Sequence, residues 1–587
     1  MKNIRRFLLA LVAVLLVACN EDAFLQETPL DFMSGENSYI TPADFELATN
    51  ELYYLARWEF YCNGDRSVLD YVFGTDIFWN GSSGNLISNL KSDYSISGTI
   101  AQAHWDKLYS LIAQSNTIIS RLPASQLTDE QKESAMAKAL FFRGLSYRTL
   151  AYLYGGVPLQ LEEVTKPKTD YTRATREATL QQAISDVKYA AEHLNDITQV
   201  KDGEVSSPAA YHLLSELYLA AGMHREAVNA ASMVLKNPAL KLMTSRFGSR
   251  STENPGDVFW DLFRTNNQNR STHGNTEGLW VMQMEAGVTG GGTDLNSIWS
   301  SPGSYLLERH CSPQTGLFRM YKGDVAYFPF TWPIGDYTGG RGIGTFVPTT
   351  HFAYDVWQSD FNNDIRNANH NFVRKFAINT VNASERTKCS SDFGDTLDID
   401  NPPAGFTFLT GEDNQTTFPG RYLLCYQTKC TNPYDYPSAL IANASTFELR
   451  SSAGGTYQDQ YMFRLAETYL LRAEGYLGLN NKDSAAIDIN AVRTRANATP
   501  VPSNNVTLDY ILDERLREFG VEEKRRLTLG RLGADVFYDR VTRYNPYYTN
   551  SNAADPFTKT YTLWPIPLSA IESNLDAEIK QNPGYDQ

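Results

Sequence analysis

Between Tyr461 and Ala496 the apolar positions Met462, Leu465, Ala466, Tyr469, Leu470, Ala473 and Leu477 recur at steps of three and four. That spacing predicts a helix with one wide apolar face. Gly478, Asn480 and Asn481 then supply breaking and capping chemistry, and Ala485, Ile489, Val492 and Ala496 lay down a second face. Two helices joined by so short a turn cannot bury both faces alone. The hairpin therefore predicts neighbours of its own kind to stack upon.

The same periodicity appears earlier in the chain. Thr41-Pro42 reads as a helix cap followed by proline in the first turn. Trp105, Leu108, Ile112, Ser115, Ile119 and Leu122 carry the helical pattern, and Thr128 to Gln131 reads as a capping box for the helix after it. Hairpin-like units follow at Thr175 to Leu194 and at Ser206 to Gly222 paired with Arg225 to Lys236. Two stretches break the pattern. Residues 61–98 are rich in Gly, Ser, Asn and aromatics and read as a long loop or hairpin insertion, a class that usually serves function. From about 245 to 456 apolar periodicity vanishes, Gly, Pro, Asn, Trp and Tyr dominate, and only short runs such as GLWVMQME and NFVRKF read as strands.

Composition changes this picture little: 42% hydrophobic and 20% charged residues are globular values, and 12% aromatics leave room for rings outside the core. The N-terminus changes it more. Lys2, Arg5 and Arg6 precede an apolar run from Phe7 to Val17, too short to span a membrane, and Leu16-Val17-Ala18-Cys19 resembles a bacterial lipobox. Residues 1–18 are thus expected to be a signal peptide, with Cys19 lipidated. Losing those three cations takes the net charge from −15 to −18, which with no basic stripe excludes nucleic acid as an expected partner. Of the remaining cysteines, Cys425 and Cys430 stand either as a disulfide or as two buried thiols. No Cys/His spacing suits zinc.

The motifs FRLAETYLLRAEGYL with INAVRTRA, then ILDERLREFGVEEKRRLTLGRLG, then LWPIPLSAI with KQNPGY stand in one order at the chain end. With LFFRGLSYRTLAYLYGGVPL, GRGIGTFVPT and DIRNANHNFVRKF upstream, the chain resembles the SusD/RagB family of Bacteroidetes surface lipoproteins. That resemblance implies an all-α, tetratricopeptide-like helix-pair scaffold with a large loop-rich insertion carrying minor β. It also implies an outer-membrane, lipid-anchored, surface-exposed protein. Such a protein would capture oligosaccharides, less often peptides, for a SusC-like TonB-dependent transporter. The expected organisation is a lipidated tether at 19–40, an N-terminal helical scaffold at 41–244 with the insertion at 61–98, a ligand-binding insertion at 245–456 and a C-terminal helical part at 457–587.

Sugar capture needs flat aromatic faces against the C–H face of a pyranose, with amides, carboxylates and guanidinium groups answering the hydroxyls. Two stretches offer that mixture. Asp76, Trp79 and Asn80 lie in GTDIFWNG, and Trp299, Tyr305, Trp332, Tyr337 and Arg341 lie in the middle insertion. Trp105, Trp260 and Trp280 sit in periodic or strand-like context and are expected in the core. The C-terminal charges Glu467, Arg472, Glu474, Arg493 and Arg495 are expected to pair between stacked helices. The run from Glu514 to Arg526 should form a mixed-charge face, mostly solvated or between helices. An enzyme is not expected: HExxH, G-x-S-x-G and phosphate-binding glycine loops are all missing from the sequence, and a glycosidase pair cannot be read from scattered acids. A peptide-binding scaffold is the other rival class. No cofactor is expected; Asp360-x-Asn362-x-Asp364 imitates the start of a calcium loop, but Ile365 stands where that loop needs glycine.

Overall fold

Local capping chemistry starts the scaffold where the pattern places it. In the computed structural model, which describes residues 38–81, 89–288, 291–293, 295, 303–410, 420–549 and 556–585, helix α1 (Pro42–Phe60) opens on Thr41. The Thr41 hydroxyl accepts from the Asp44 N–H while the Asp44 carboxylate accepts from the Thr41 N–H at 2.7 Å. After α2 (Arg66–Val72) and α3 (Thr99–Arg121), the Thr128–Gln131 capping box starts α4 (Asp129–Leu153). Thr175 and Ser206 cap α5 (Arg176–His193) and α6 (Ser207–Ala220), and α7 (His224–Leu235) completes the N-terminal stack. Helices α3 to α7 pack in succession, each on the next.

The C-terminal hairpin, α8 (Leu465–Gly478) and α9 (Lys482–Arg495), continues that stack by packing α8 on α7. The close approach rests on Gly475, where an added Cβ would come within 2.8 Å of the Val228 side chain. Then come α10 (Leu508–Glu518), α11 (Arg525–Leu532), which packs back on α4, and α12 (Ala534–Tyr544). Helix takes 48% of the chain and strand 10%, so the class is all-α with minor β. Among the described residues no helix is long and apolar enough to cross a membrane.

Four strands position the site: β1 (Phe78–Asn80), β2 (Gly278–Met282), β3 (Phe346–Pro348) and β4 (Gln460–Arg464). β1 pairs antiparallel with β3, and β2 with β4. The second pairing corrects the expected start of the C-terminal helix. Tyr461 and Met462 belong to a strand: Tyr461 pairs with Val281 of β2, Met462 falls at a register shift before Phe463 pairs with Trp280, and the Tyr461 hydroxyl donates to the Leu262 carbonyl at 2.9 Å. Helical geometry begins only at Leu465. The 61–98 insertion likewise holds α2, β1 and a helical turn at Leu90–Asp93 rather than a plain loop. In the middle stretch, GLWVM forms β2, NFVRKF contributes two short strands, and an unforeseen helix covers Ala383–Phe393. That helix buries only Cys389, so its sequence shows no apolar stripe.

The charged run around α10 is buried between elements rather than solvated. Glu518 and Glu514 have no exposed surface and meet Arg366, Arg464, Arg493, Arg495 and Arg517. Glu474 pairs with Arg531, Glu467 with Arg515, and Arg472 with Asp488, as expected of charges between stacked helices. Asp360 and Asp364 of the calcium-like run accept from Arg493 and Arg366. Cys425 and Cys430 are separate buried thiols, as are Cys62, Cys311 and Cys389. Cys19 lies outside the described residues.

Candidate functional site

The GTDIFWNG segment is pinned from inside. Asp76 is fully buried, its carboxylate accepting from Arg525 at 2.8 and 2.7 Å and from Arg540 Nε at 2.8 Å. Burial alone would raise this carboxyl; the two arginines outweigh it and hold it well below the usual carboxylate range. The Asn545 amide, just past α12, donates to the carbonyls of Thr75 (2.7 Å) and Phe78 (2.8 Å). Asp76 therefore serves as the anchor of this segment and does not face ligand. Residues 78–80 then pair with β3 and turn their far end outward.

Trp79 sits at that end, 7% exposed, its ring stacked on Tyr547 with centroids 3.9 Å apart and planes 14° from parallel. Tyr547 is 48% exposed, so it presents the open face of the pair while Trp79 backs it. Beside them Asn80 is half-buried. The backbone continues the surface from here. The Gly81 N–H donates to the Thr345 carbonyl at 2.9 Å, and Gly344 lies against the Arg421 backbone. Arg421 donates to the Gln314 side-chain carbonyl at 2.8 Å, placing a guanidinium and an amide together. Two residues back, the Gly342 carbonyl accepts from Trp332 Nε1 at 2.9 Å, and the Arg341 guanidinium lies 5.2 Å from the centre of the Trp332 ring. One loop, 331–345, thus joins Trp332 and Arg341 to Trp79, Asn80 and Tyr547.

At its other side the loop meets a ladder of rings. Tyr337 stacks on the buried Trp260 at 5.6 Å and meets Tyr434 edge-on at 6.0 Å, and Tyr434 is 48% exposed. Arg341 is itself mostly buried, its N–H donating to Glu308 at 3.0 Å. Tyr436 donates to the other Glu308 oxygen at 2.7 Å, and burial pushes the Glu308 carboxyl up to about 7. Tyr305 is placed elsewhere: it is buried edge-on against Tyr61 and is a core residue, not a ligand-facing one. Trp299 lies outside the described residues. Trp105, Trp260 and Trp280 are buried.

The structure adds Tyr547, Tyr434, Arg421 and Gln314 to the residues singled out from sequence. RYNPYYTN, a dense aromatic turn closing a helix, was the available signal for Tyr547. The chemistry assembled is aromatic faces beside amide and guanidinium donors, suited to holding a polyol. The nearby carboxylates are already engaged: Asp76 with arginines, Glu308 with Tyr436 and Arg341, and Asp336 with Thr338 and Asn379. Gly344 sets the junction. Its φ is +61°, and a Cβ would fall 2.2 Å from the Arg421 carbonyl. Gly344→Ala is expected to cost about 1–3 kcal/mol in denaturant unfolding and to weaken ligand binding as the loop shifts away from β1. An unchanged midpoint with unchanged binding would mean the junction is slack.

Comparison with known proteins follows the same lines. Residues 325–585 match the family described as the SusD family, and residues 67–219 match one described as starch-binding associating with outer membrane. SusD-like protein P25 of Formosa agariphila is 23% identical, covering 97% of this chain and 97% of its own length. The starch-binding protein SusD of Bacteroides thetaiotaomicron is 36% identical over 21% of each chain. Among solved structures, a laminarin-binding SusD-like protein superposes with a TM-score of 0.63 at 18% identity, covering 93% of this chain and all of its own.

Proposed function

This chain belongs to the SusD family, and from that premise we propose that it is a non-catalytic glycan-capture lipoprotein of the outer membrane. Lipid on Cys19 would anchor it at the cell surface, and a SusC-like TonB-dependent transporter would receive what it captures. One observation carries the reading: a half-exposed Tyr547 stacked on Trp79, continuous through 342–345 with the partly exposed Trp332. Amide and guanidinium groups flank those rings. Starch and laminarin, named for two relatives, are neutral glucans, and a neutral glycan suits this mixture of rings and amides. Membrane tethering would make contact with the transporter effectively intramolecular, so modest affinity suffices.

The test is calorimetric titration of the chain from Asn20 onward against neutral polysaccharides, their oligosaccharides and peptides. Saturable binding to one glycan class is expected at about −4 to −8 kcal/mol, roughly millimolar to micromolar. The ligand should be recovered uncut; cleavage would overturn the non-catalytic reading, and binding to peptides alone would overturn the glycan one. Tyr547→Ala and Trp332→Ala should each weaken binding roughly tenfold by removing a stacking face. Tyr547→Ala should leave the unfolding midpoint nearly unchanged, since half of that ring is already in water.

A further inference from the structure

Beside the 331–345 loop the backbone is held in a conformation that its residues do not favour. Asn266, Asn480 and Asn497 take left-handed φ between +56° and +66°, as asparagine tolerates. Tyr434 and Phe447 take it too, at +61° and +57°, where a bulky side chain is strained. Both are tied to Gly335. The Tyr434 N–H donates to the Gly335 carbonyl at 2.7 Å, and the Gly335 N–H donates to the Phe447 carbonyl at 2.8 Å. A Cβ on Gly335 would fall 2.9 Å from the Tyr436 ring, so the approach is tight there.

Asparagine or glycine would make the Tyr434 turn with less strain. Burial does not explain the tyrosine, since it is 48% exposed and its hydroxyl has no hydrogen-bond partner among the described residues. What the strain achieves is direction. The Tyr434 ring meets Phe447 edge-on, centroids 4.9 Å apart, and Tyr337 at 6.0 Å, and Tyr337 stacks in turn on the buried Trp260. The Arg250 guanidinium holds the preceding residue, donating to the Pro433 carbonyl at 2.7 Å, and pairs with Glu253. A fixed, half-exposed ring thus stands near a guanidinium and a carboxylate. Strained residues of this kind persist where the surroundings over-determine them, at ligand clamps above all.

We propose that Tyr434 is a second saccharide platform, distinct from the Tyr547–Trp79 pair, and that through it this chain prefers the longer oligomers of its glycan. The proposal rests on the glycan reading above. Trp332 and Gly335 are three residues apart, so their Cα atoms lie within about 10 Å of each other, and the Tyr434 backbone is hung from the second of them. A short oligosaccharide fills the Tyr547–Trp332 end alone. A longer one continues along the loop, lays the C–H face of a further sugar on Tyr434 and offers its hydroxyls to Arg250 and Glu253. Once the first contact is made the second is intramolecular, so even a weak one raises affinity. A ring already held rigid loses little freedom on binding.

Calorimetric titration of the intact protein with starch-derived and laminarin-derived oligosaccharides, each graded from disaccharide to decasaccharide, tests this. In the series that binds, affinity should rise roughly tenfold from the short to the long members. Tyr434→Asn, which suits the left-handed turn, should remove that rise, keep the short-oligosaccharide affinity and hold Tm within about 2 °C. Tyr434→Phe, which keeps the ring, should retain the rise. Short-oligosaccharide affinity also reports that each variant is folded. A rise that persists in Tyr434→Asn overturns the proposal, as does an equal loss for short and long members, or a loss that Tyr434→Phe shares. Binding of the unaltered protein with no dependence on length overturns it too, and leaves the glycan reading standing. Absence of binding to either series at any length overturns the neutral-glucan reading itself, and this inference with it.

Discussion

Glu518→Gln should lower the unfolding free energy by about 3–5 kcal/mol, the cost of breaking a buried ion cluster by removing one partner. Glu518 has no exposed surface and meets three arginines: Arg366 at 2.9 Å, Arg464 at 2.7 Å, and Arg495. Glutamine has nearly the same shape, so packing is kept while one charge disappears. Arg366 retains Asp364 and Glu514, and Arg464 retains Glu277 and Glu522, but Arg495 is left sharing Glu277 with Arg464. One buried positive charge is then uncompensated. Urea unfolding followed by far-UV circular dichroism measures the loss, and a change under about 1 kcal/mol would show that water reaches the cluster.

That cluster and the separate Asp76 pairing together set the acid limit. Against the penalty of burial, arginines hold Glu514, Glu518 and Asp76 well below the usual carboxylate range. A carboxyl with a depressed folded pKa contributes stability that is fully present above its unfolded value, about 4.3 for Glu and 3.9 for Asp. That contribution drains away as pH falls below those values toward the folded ones. The unfolding midpoint should therefore be flat with respect to these groups above about pH 5 and fall below about pH 4. In Glu518→Gln the acid slope should be shallower.

What the sequence showed and what it hid divide by range of interaction. The caps at Thr41 and Thr128 were legible because the bonds span three or four residues, while Thr175 and Ser206, which cap α5 and α6, stood only as the first residues of hairpin-like units. The hairpin α8–α9 was legible from its apolar spacing, except at Tyr461, whose backbone is claimed by β2 far away in sequence. GTDIFWNG looked like a ligand loop because its polar and aromatic residues suggest one. Its true constraints are remote: Arg525 lies 449 residues from Asp76, and Tyr547 closes over Trp79 from beyond α12. The charges of α10 read as a helix face with no way to tell water from arginine. Composition records a residue's chemistry, while its partner is fixed only by folding.

That remoteness gives the last prediction its use. Asp76→Asn should cost about 3 kcal/mol of stability, because Arg525 and Arg540 lose their shared counter-ion in a buried place. The loss should stay near the lower end for such sites: Arg525 keeps Glu523, and Arg540 keeps Asp509 and Asp513. Binding should weaken as well, although Asp76 itself touches no ligand, since releasing the segment lets Trp79 and Asn80 drift from Tyr547 and from β3. A direct contact and an anchor give different results. If Asp76 bonded the glycan, Asp76→Asn would weaken binding and leave unfolding unchanged. As an anchor, it must lower both together, and Arg540→Met, which cuts the same pin from the other side, should weaken binding in parallel. Calorimetric titration of both variants, beside urea unfolding of each, separates the two. Lost affinity at full stability in Asp76→Asn would return this carboxylate to the ligand surface and overturn the anchor.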